Sequence, residues 1–173
     1  MKKFIKDPNF LHVAGTGHRP NKIPGGYKEY LQTGADPGEG LKHITQLCVD
    51  FLEKKDKPVK VISGMAQGWD TGLALAALTM DLPLIAAIPC TNQKERWPRD
   101  SQWLYGEILK DASEIFILAE DYSPQAMYDR NIWMVDNCDE VLAYWDRIKK
   151  GGTYHAVMYA KRKGKEITNL YGV

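Results

Sequence analysis

A chain of 173 residues fits one domain and is long enough to bury roughly two-thirds of its unfolded surface without disulfide or metal staples. Its 23 Lys and Arg nearly cancel 22 Asp and Glu, which argues against the broad basic surface that tracks a nucleic-acid backbone, so nucleic acid is not expected as a partner. Cys48, Cys90 and Cys138 are odd in number and share no C-x-x-C spacing, so neither a disulfide framework nor a zinc knuckle is suggested, and a reducing cytoplasm is the natural reading. The opening segment from Met1 to Pro8 lacks a signal-peptide core, and apolar runs such as Leu82 to Cys90 fall far short of the ~20 residues that cross a bilayer. A cytoplasmic protein without a membrane partner is the expectation.

The apolar run Leu11 to Ala14 predicts a buried strand that ends in Gly15-Thr16-Gly17, followed by a long loop with Pro20, Pro24, Gly25 and Gly26. A helix follows at Leu41, Ile44, Cys48 and Leu52. Val59 to Ile62 predicts a second strand, running into the glycine-bearing turn Ser63 to Gly68, after which Asp70 is expected to cap a helix to about Met80. A third strand is expected at Pro83 to Pro89, a helix from about Asp100 to Ala112, and a fourth strand at Ile115 to Leu118. Pro124 starts a helix carrying Met127, Asn131, Met134 and Val135, Val141 to Trp145 is a fifth strand, Gly151 opens a helix to about Arg162, and Ile167 to Tyr171 is the sixth strand.

Strands alternating with helices predict an α/β chain: a Rossmann-like three-layer fold with a mainly parallel sheet of about six strands, one domain spanning 1–173. Residues 1–10 read as an N-terminal extension, and the stretch 20–40, with Tyr27 and Tyr30, as a site-covering loop. Such sheets bind ligands beyond the carboxyl ends of their strands, where strand order reverses. Three of the ends here carry glycine turns.

Gly15-Thr16-Gly17-His18-Arg19-Pro20 fails as a dinucleotide fingerprint because Pro20 stands at the third glycine position. Gly15 and Gly17 instead allow backbone approach to a ligand, with His18 and Arg19 as donors to phosphate or ribose oxygens. In Ser63-Gly64-Met65-Ala66-Gln67-Gly68-Trp69-Asp70, amides at a helix start are expected to face the same crevice, as are those of Gly151-Gly152-Thr153. Asp70 reads equally as a cap or a ligand contact, and Trp69 as a base platform or a core residue. Arg130 and Asn131 sit on an otherwise apolar helix stripe, so Arg130 needs an anion, either a bound ligand or a carboxylate such as Asp136. No P-loop, H-E-x-x-H or G-x-S-x-G pattern is present, and no metal site is expected.

Taken together, Gly17-His18-Arg19-Pro20, Gly25-Gly26-Tyr27, Ser63 to Asp70, Ile88-Pro89, Arg130-Asn131, Met134-Val135-Asp136 and Gly151-Gly152-Thr153 resemble the YpsA-like branch of the SLOG superfamily, which also holds the DprA and LOG proteins. The similarity runs from about residue 11 to 171. It implies a Rossmann-like fold, binding of a nucleotide or nucleotide-derived small molecule, and a homodimer. LOG enzymes split the bond between a base and ribose 5′-monophosphate; Met127-Tyr128-Asp129-Arg130-Asn131 is similar to one of their motifs, but Ala156 stands where they carry a catalytic glutamate.

Two readings follow. In the first, a non-catalytic sensor or carrier holds the ligand with Gly15 to Arg19, Gly64 to Asp70, Arg130, Asn131 and Gly151 to Thr153, and requires no cofactor. In the second, a LOG-like N-glycosidase uses Asp70 or Asp136 in place of the missing glutamate. A third reading, DprA-like binding of single-stranded DNA, finds no support in the near-neutral charge.

Overall fold

The computed structural model describes residues 3–25 and 38–173. Among these, six strands alternate with five α-helices in chain order: β1 (Leu11–Gly17), α1 (Glu39–Leu52), β2 (Val59–Ser63), α2 (Trp69–Thr79), β3 (Leu84–Ile88), α3 (Arg99–Lys110), β4 (Glu114–Ile117), α4 (Pro124–Asn137), β5 (Glu140–Tyr144), α5 (Gly151–Arg162) and β6 (Glu166–Asn169). A short 3-10 helix at Pro20–Lys22 follows β1. The strands form one sheet in the order β4-β3-β2-β1-β5-β6, and every pairing is parallel. The expected three-layer, Rossmann-like α/β architecture is therefore present, with a wholly parallel sheet. The part of the proposed site-covering loop that includes Gly26, Tyr27 and Tyr30 lies outside the described residues.

Period-two alternation distributes the core. Val13, Val61, Leu84, Ala86, Ile88 and Leu142 point to the face covered by α1, α2 and α3. Their neighbours Ala14, Ile62, Ile85, Ala87, Phe116 and Val141 point to the face covered by α4 and α5. Helix α1 buries Leu41, Ile44, Cys48 and Leu52 at helical spacing. Helix α2 is buried on almost every side because it lies between α1 and the sheet. Helix α4 begins where Ser123 accepts a hydrogen bond from the Ala126 amide at 3.0 Å and Pro124 occupies the first turn.

One expectation changes. Gly15 and Gly17 belong to β1 itself, in register with Leu142 and Tyr144, and do not form a loop. Their lack of a side chain serves packing: a Cβ on Gly15 would lie 2.5 Å from Leu73, and one on Gly17 2.5 Å from Trp69. Those two α2 side chains occupy the space, so Trp69 is a core residue and no base platform; its indole N–H donates to the Leu142 carbonyl at 3.1 Å and its ring stacks on Tyr144 at 5.0 Å.

The N-terminal extension packs on the other face, where Phe4 makes edge contacts with His12, Phe116 and Trp133. His12 is fully buried, and neither ring nitrogen has a hydrogen-bond partner among the described residues. The Asp139 carboxylate, 3.5 Å from Nδ1, accepts instead from the His12 backbone amide at 2.9 Å. Burial lowers the His12 pKa below 6.5, with Lys6 and Lys60 adding to that direction and Asp139 opposing it. The unfolded chain therefore takes up this proton first. Stability is at its full value above pH 6.5 and declines as pH falls through the window below it, by up to about 1.4 kcal/mol per pH unit for one proton. Urea denaturation across this range should show a shallower acid loss in His12→Leu than in the parent chain; an unchanged slope would remove His12 from the account.

Candidate functional site

Strand order reverses at β1, which lies between β2 and β5. The carboxyl ends of β1 and β5 diverge there into connections on opposite faces, leaving a crevice in which ligands of such sheets bind. A cavity of about 520 Å3 opens at that place, within the roughly 300–1,000 Å3 range of small-molecule sites. Its walls come from four separate parts of the chain: the end of β1 and the turn after it, the loop entering α2, the first half of α4, and the start of α5.

The structure brings most of the sequence-identified residues to this cavity. Gly15, Thr16, Gly17, His18 and Arg19 line it from β1, Ala66 and Asp70 from the α2 side, Arg130 and Asn131 from α4, and Gly151, Gly152 and Thr153 from α5. The first-turn amides of α5 have no intrahelical partner and stand at the wall, and Lys150 precedes them. A Cβ on Gly152 would approach nothing nearer than Asn131 at 3.7 Å, so space remains beside this turn.

Gly64, Met65 and Gly68 stand behind the wall. Gly68 takes φ +95, and a Cβ there would lie 2.3 Å from the His18 carbonyl, so it lets the α2 turn press against the β1 turn. Three of the amides expected to face the crevice here have protein acceptors instead. The Trp69 amide donates to the His18 carbonyl at 3.1 Å, the Met65 amide to Ser63 Oγ at 3.1 Å, and the Ala66 amide to Asp70 Oδ2 at 3.3 Å. Asp70 therefore caps the loop ahead of α2; the N-cap of the helix is Gly68. Asp136 is not a cavity residue. It accepts from the Tyr159 hydroxyl at 2.9 Å and pairs with Lys163 at 3.4 Å on an exposed part of α4 and α5, too far along the helix to serve Arg130.

Arg130 meets Asp70. Its side chain is only 5% exposed, reaches over the end of the sheet from the α4 layer, and places Nη1 3.9 Å from Asp70 Oδ2. Nη1 also donates to the Gly64 carbonyl, and Nε donates to Asn131 Oδ1 at 2.9 Å. Burial pushes the Asp70 carboxyl above its ordinary value while Arg130 and Arg19 pull it back; burial likewise lowers the Arg130 pKa, opposed by Asp70. Gly64 is required because a Cβ would fall 2.1 Å from Arg130 Nη1.

Behind this pair stands a second layer that the sequence does not announce. Gln93 donates to the same Gly64 carbonyl at 3.1 Å and accepts from the Tyr105 hydroxyl at 3.3 Å. Burial raises the Tyr105 pKa to about 12, so the phenol stays a donor. His18, buried at the cavity, has Nε2 3.0 Å from the Asp146 amide and 3.2 Å from the Asp146 carboxylate; burial lowers its pKa, with Asp146 opposing. Lys22, Lys150, Tyr122, Tyr128 and His155 also line the cavity. Only Lys150 had a sequence signal, its place directly before the Gly151 turn.

Among the described residues no group of acidic, His and Cys side chains could hold a metal ion, and no helix is long and apolar enough to cross a membrane. Wholly parallel strands, helices on both faces and a cationic crevice at the strand-order reversal define a Rossmann-like α/β protein with one carboxyl-edge site. The chain belongs to the YspA SLOG family, whose model matches residues 42–171.

Relatives include the SPbeta prophage-derived protein YoqJ of Bacillus subtilis (strain 168), 26% identical over 150 residues that cover 76% of this chain and 87% of YoqJ. A UPF0398 protein of Bacillus cereus (strain B4264) is 33% identical over 93 residues, or 53% of this chain and 50% of that protein. Among solved structures, DNA processing protein A of Streptococcus pneumoniae shares the fold with a TM-score of 0.67 at 19% identity, over 95% of this chain and 51% of that one. The Helicobacter pylori protein of the same name, whose structure concerns its single-stranded DNA binding mode, gives 0.63 at 19% identity, over 95% and 69%. The chain thus spans half the length of the UPF0398 relative and of the pneumococcal structure.

The buried pair sets a stability prediction. Arg130→Met leaves Asp70 desolvated without its partner and should cost about 3–5 kcal/mol in denaturant unfolding. Adding Asp70→Asn should return part of that loss, and a second change that adds its full separate cost would show the two groups to be uncoupled.

Proposed function

We propose that this protein binds a nucleotide or a nucleotide-derived small molecule in the cavity at the β1 and β5 ends, as a sensor or carrier. The observation that carries the reading is the combination of donors that line one cavity: Arg19, Lys150, the Arg130 guanidinium and the first-turn amides of α5. Two ion pairs absorb other charge nearby, Arg130 with Asp70 and Lys22 with Asp146 at 3.0 Å. Among the described residues Arg19 and Lys150 are the lining cations with no ion pair, and the α5 dipole likewise favours an anion. Phosphate is an anion that backbone amides and a guanidinium hold together with good geometry.

Hydrolysis of a glycosidic bond is the less supported reading. Ala156, where a LOG-like enzyme carries its glutamate, is a buried apolar residue of α5, and Asp136 is tied to Tyr159 and Lys163. Asp70 is the carboxylate left at the cavity. Single-stranded DNA is the second reading in its own right: the DprA likeness weighs against the expectation that nucleic acid is no partner, and the local pair of cations Arg19 and Lys150 supports it despite the balanced total charge.

Native mass spectrometry of the purified protein, alone and with adenosine monophosphate, should show a bound nucleotide, with Arg19→Ala and Lys150→Ala each weakening binding roughly tenfold or more. Release of free base, abolished by Asp70→Asn, would replace the sensor reading with an enzyme. Salt-sensitive capture of a thymidine oligonucleotide in preference to the mononucleotide would replace it with DNA binding.

A further inference from the structure

The cavity is graded from a buried floor to an open rim. Arg130 and Asp70 at the floor are 4% and 6% exposed, whereas Tyr122 and Tyr128 at the rim are 59% and 40% exposed although both line the same cavity. These tyrosines come from one stretch of chain, the loop leaving β4 and the first turns of α4, which also supplies Pro124 and Met127 to the wall. On the α4 side the rim is therefore aromatic, whereas its β1 and α5 sides carry the exposed cations Arg19, Lys22 and Lys150. Tyr128 is also oriented: His155 meets it edge-on with ring centroids 6.4 Å apart and planes at 78°, and the His155 ring rests in turn on Tyr154 at 5.4 Å. Nothing in the core requires two large aromatic faces to stand open beside a polar cavity.

We propose that Tyr122 and Tyr128 form a ring-stacking subsite on the α4 side of the cavity, so that a ligand whose phosphate meets Arg19, Lys150 and the α5 start lays a planar heterocyclic base against the two rings. This deepens the nucleotide reading and rests on it. Stacking of a base on an aromatic side chain is tolerant of base identity but grows with ring area, so purine nucleotides should bind more tightly than pyrimidine nucleotides. The polar end of the ligand then fixes its orientation, while the aromatic end separates a nucleotide from a bare sugar phosphate.

The test compares adenosine monophosphate with ribose 5-phosphate by calorimetric titration of the full chain. The wild-type protein should bind the nucleotide about tenfold or more tighter. Tyr128→Ala should weaken adenosine monophosphate by about 5- to 150-fold and leave ribose 5-phosphate unchanged, Tyr122→Ala should act in the same direction, and Tyr128→Phe should keep the wild-type ratio. Equal binding of the two ligands by the wild type, or an equal loss of both in Tyr128→Ala, would overturn the stacking subsite while leaving the phosphate site standing. Binding of neither ligand would overturn the nucleotide reading itself.

Discussion

A guanidinium buried between two helical layers must find its acceptors there, and Arg130 finds them on the far side of the sheet. It leaves α4, passes over the carboxyl edge, donates to the Gly64 carbonyl after β2 and lies beside Asp70 in α2. Removing such a charge from water is costly unless geometry and hydrogen bonds compensate, so each neighbour has a defined task. Gly64 gives room, Asn131 takes the Nε proton, and Gln93, backed by Tyr105, holds the shared carbonyl in place. The pair clasps both faces of the sheet at the point where the chain reverses its direction of strand addition.

The cavity follows from that clasp and from the absence of side chains at Gly15 and Gly17 on one face of β1. Trp69 and Leu73 fill the space above Gly15 and Gly17, which draws α2 close to the sheet, and the Trp69 amide at its start donates to the His18 carbonyl. Helix α5 has no comparable partner at its start. Its first-turn amides remain at the wall, opposite the β1 turn and next to Lys150. One helix start closes the fold and the other faces the cavity, although both are introduced by glycines.

Periodicity and turn residues made the architecture legible. Six β-branched or apolar runs separated by helical spacing give the element order, and alternation implies the parallel sheet, because a strand buried on both faces must be apolar throughout. The place of the site was legible too, since its turns lie at strand ends. Individual roles were not. A glycine that admits a ligand and one that admits a tryptophan look alike in sequence, which is why Gly15 and Gly17 read as a strand-exit turn open to a ligand and are strand residues packed on α2. Asp136 looked a fitting partner for Arg130 because it lies close in the chain, whereas the true partner, Asp70, is brought there only by the packing of two helices across the sheet. Gln93 and Tyr105 act through a carbonyl, and no local pattern marks them.

The central claim is that turns remote in sequence share one anion between them. Backbone amide chemical shifts, followed on isotopically labelled protein during titration with adenosine monophosphate, test it most directly. The account requires Gly17 to Arg19 and Gly151 to Thr153 to shift together along one saturation curve, with the Arg130 side chain. Shifts confined to a single turn, or dispersed over unrelated surfaces, would contradict it.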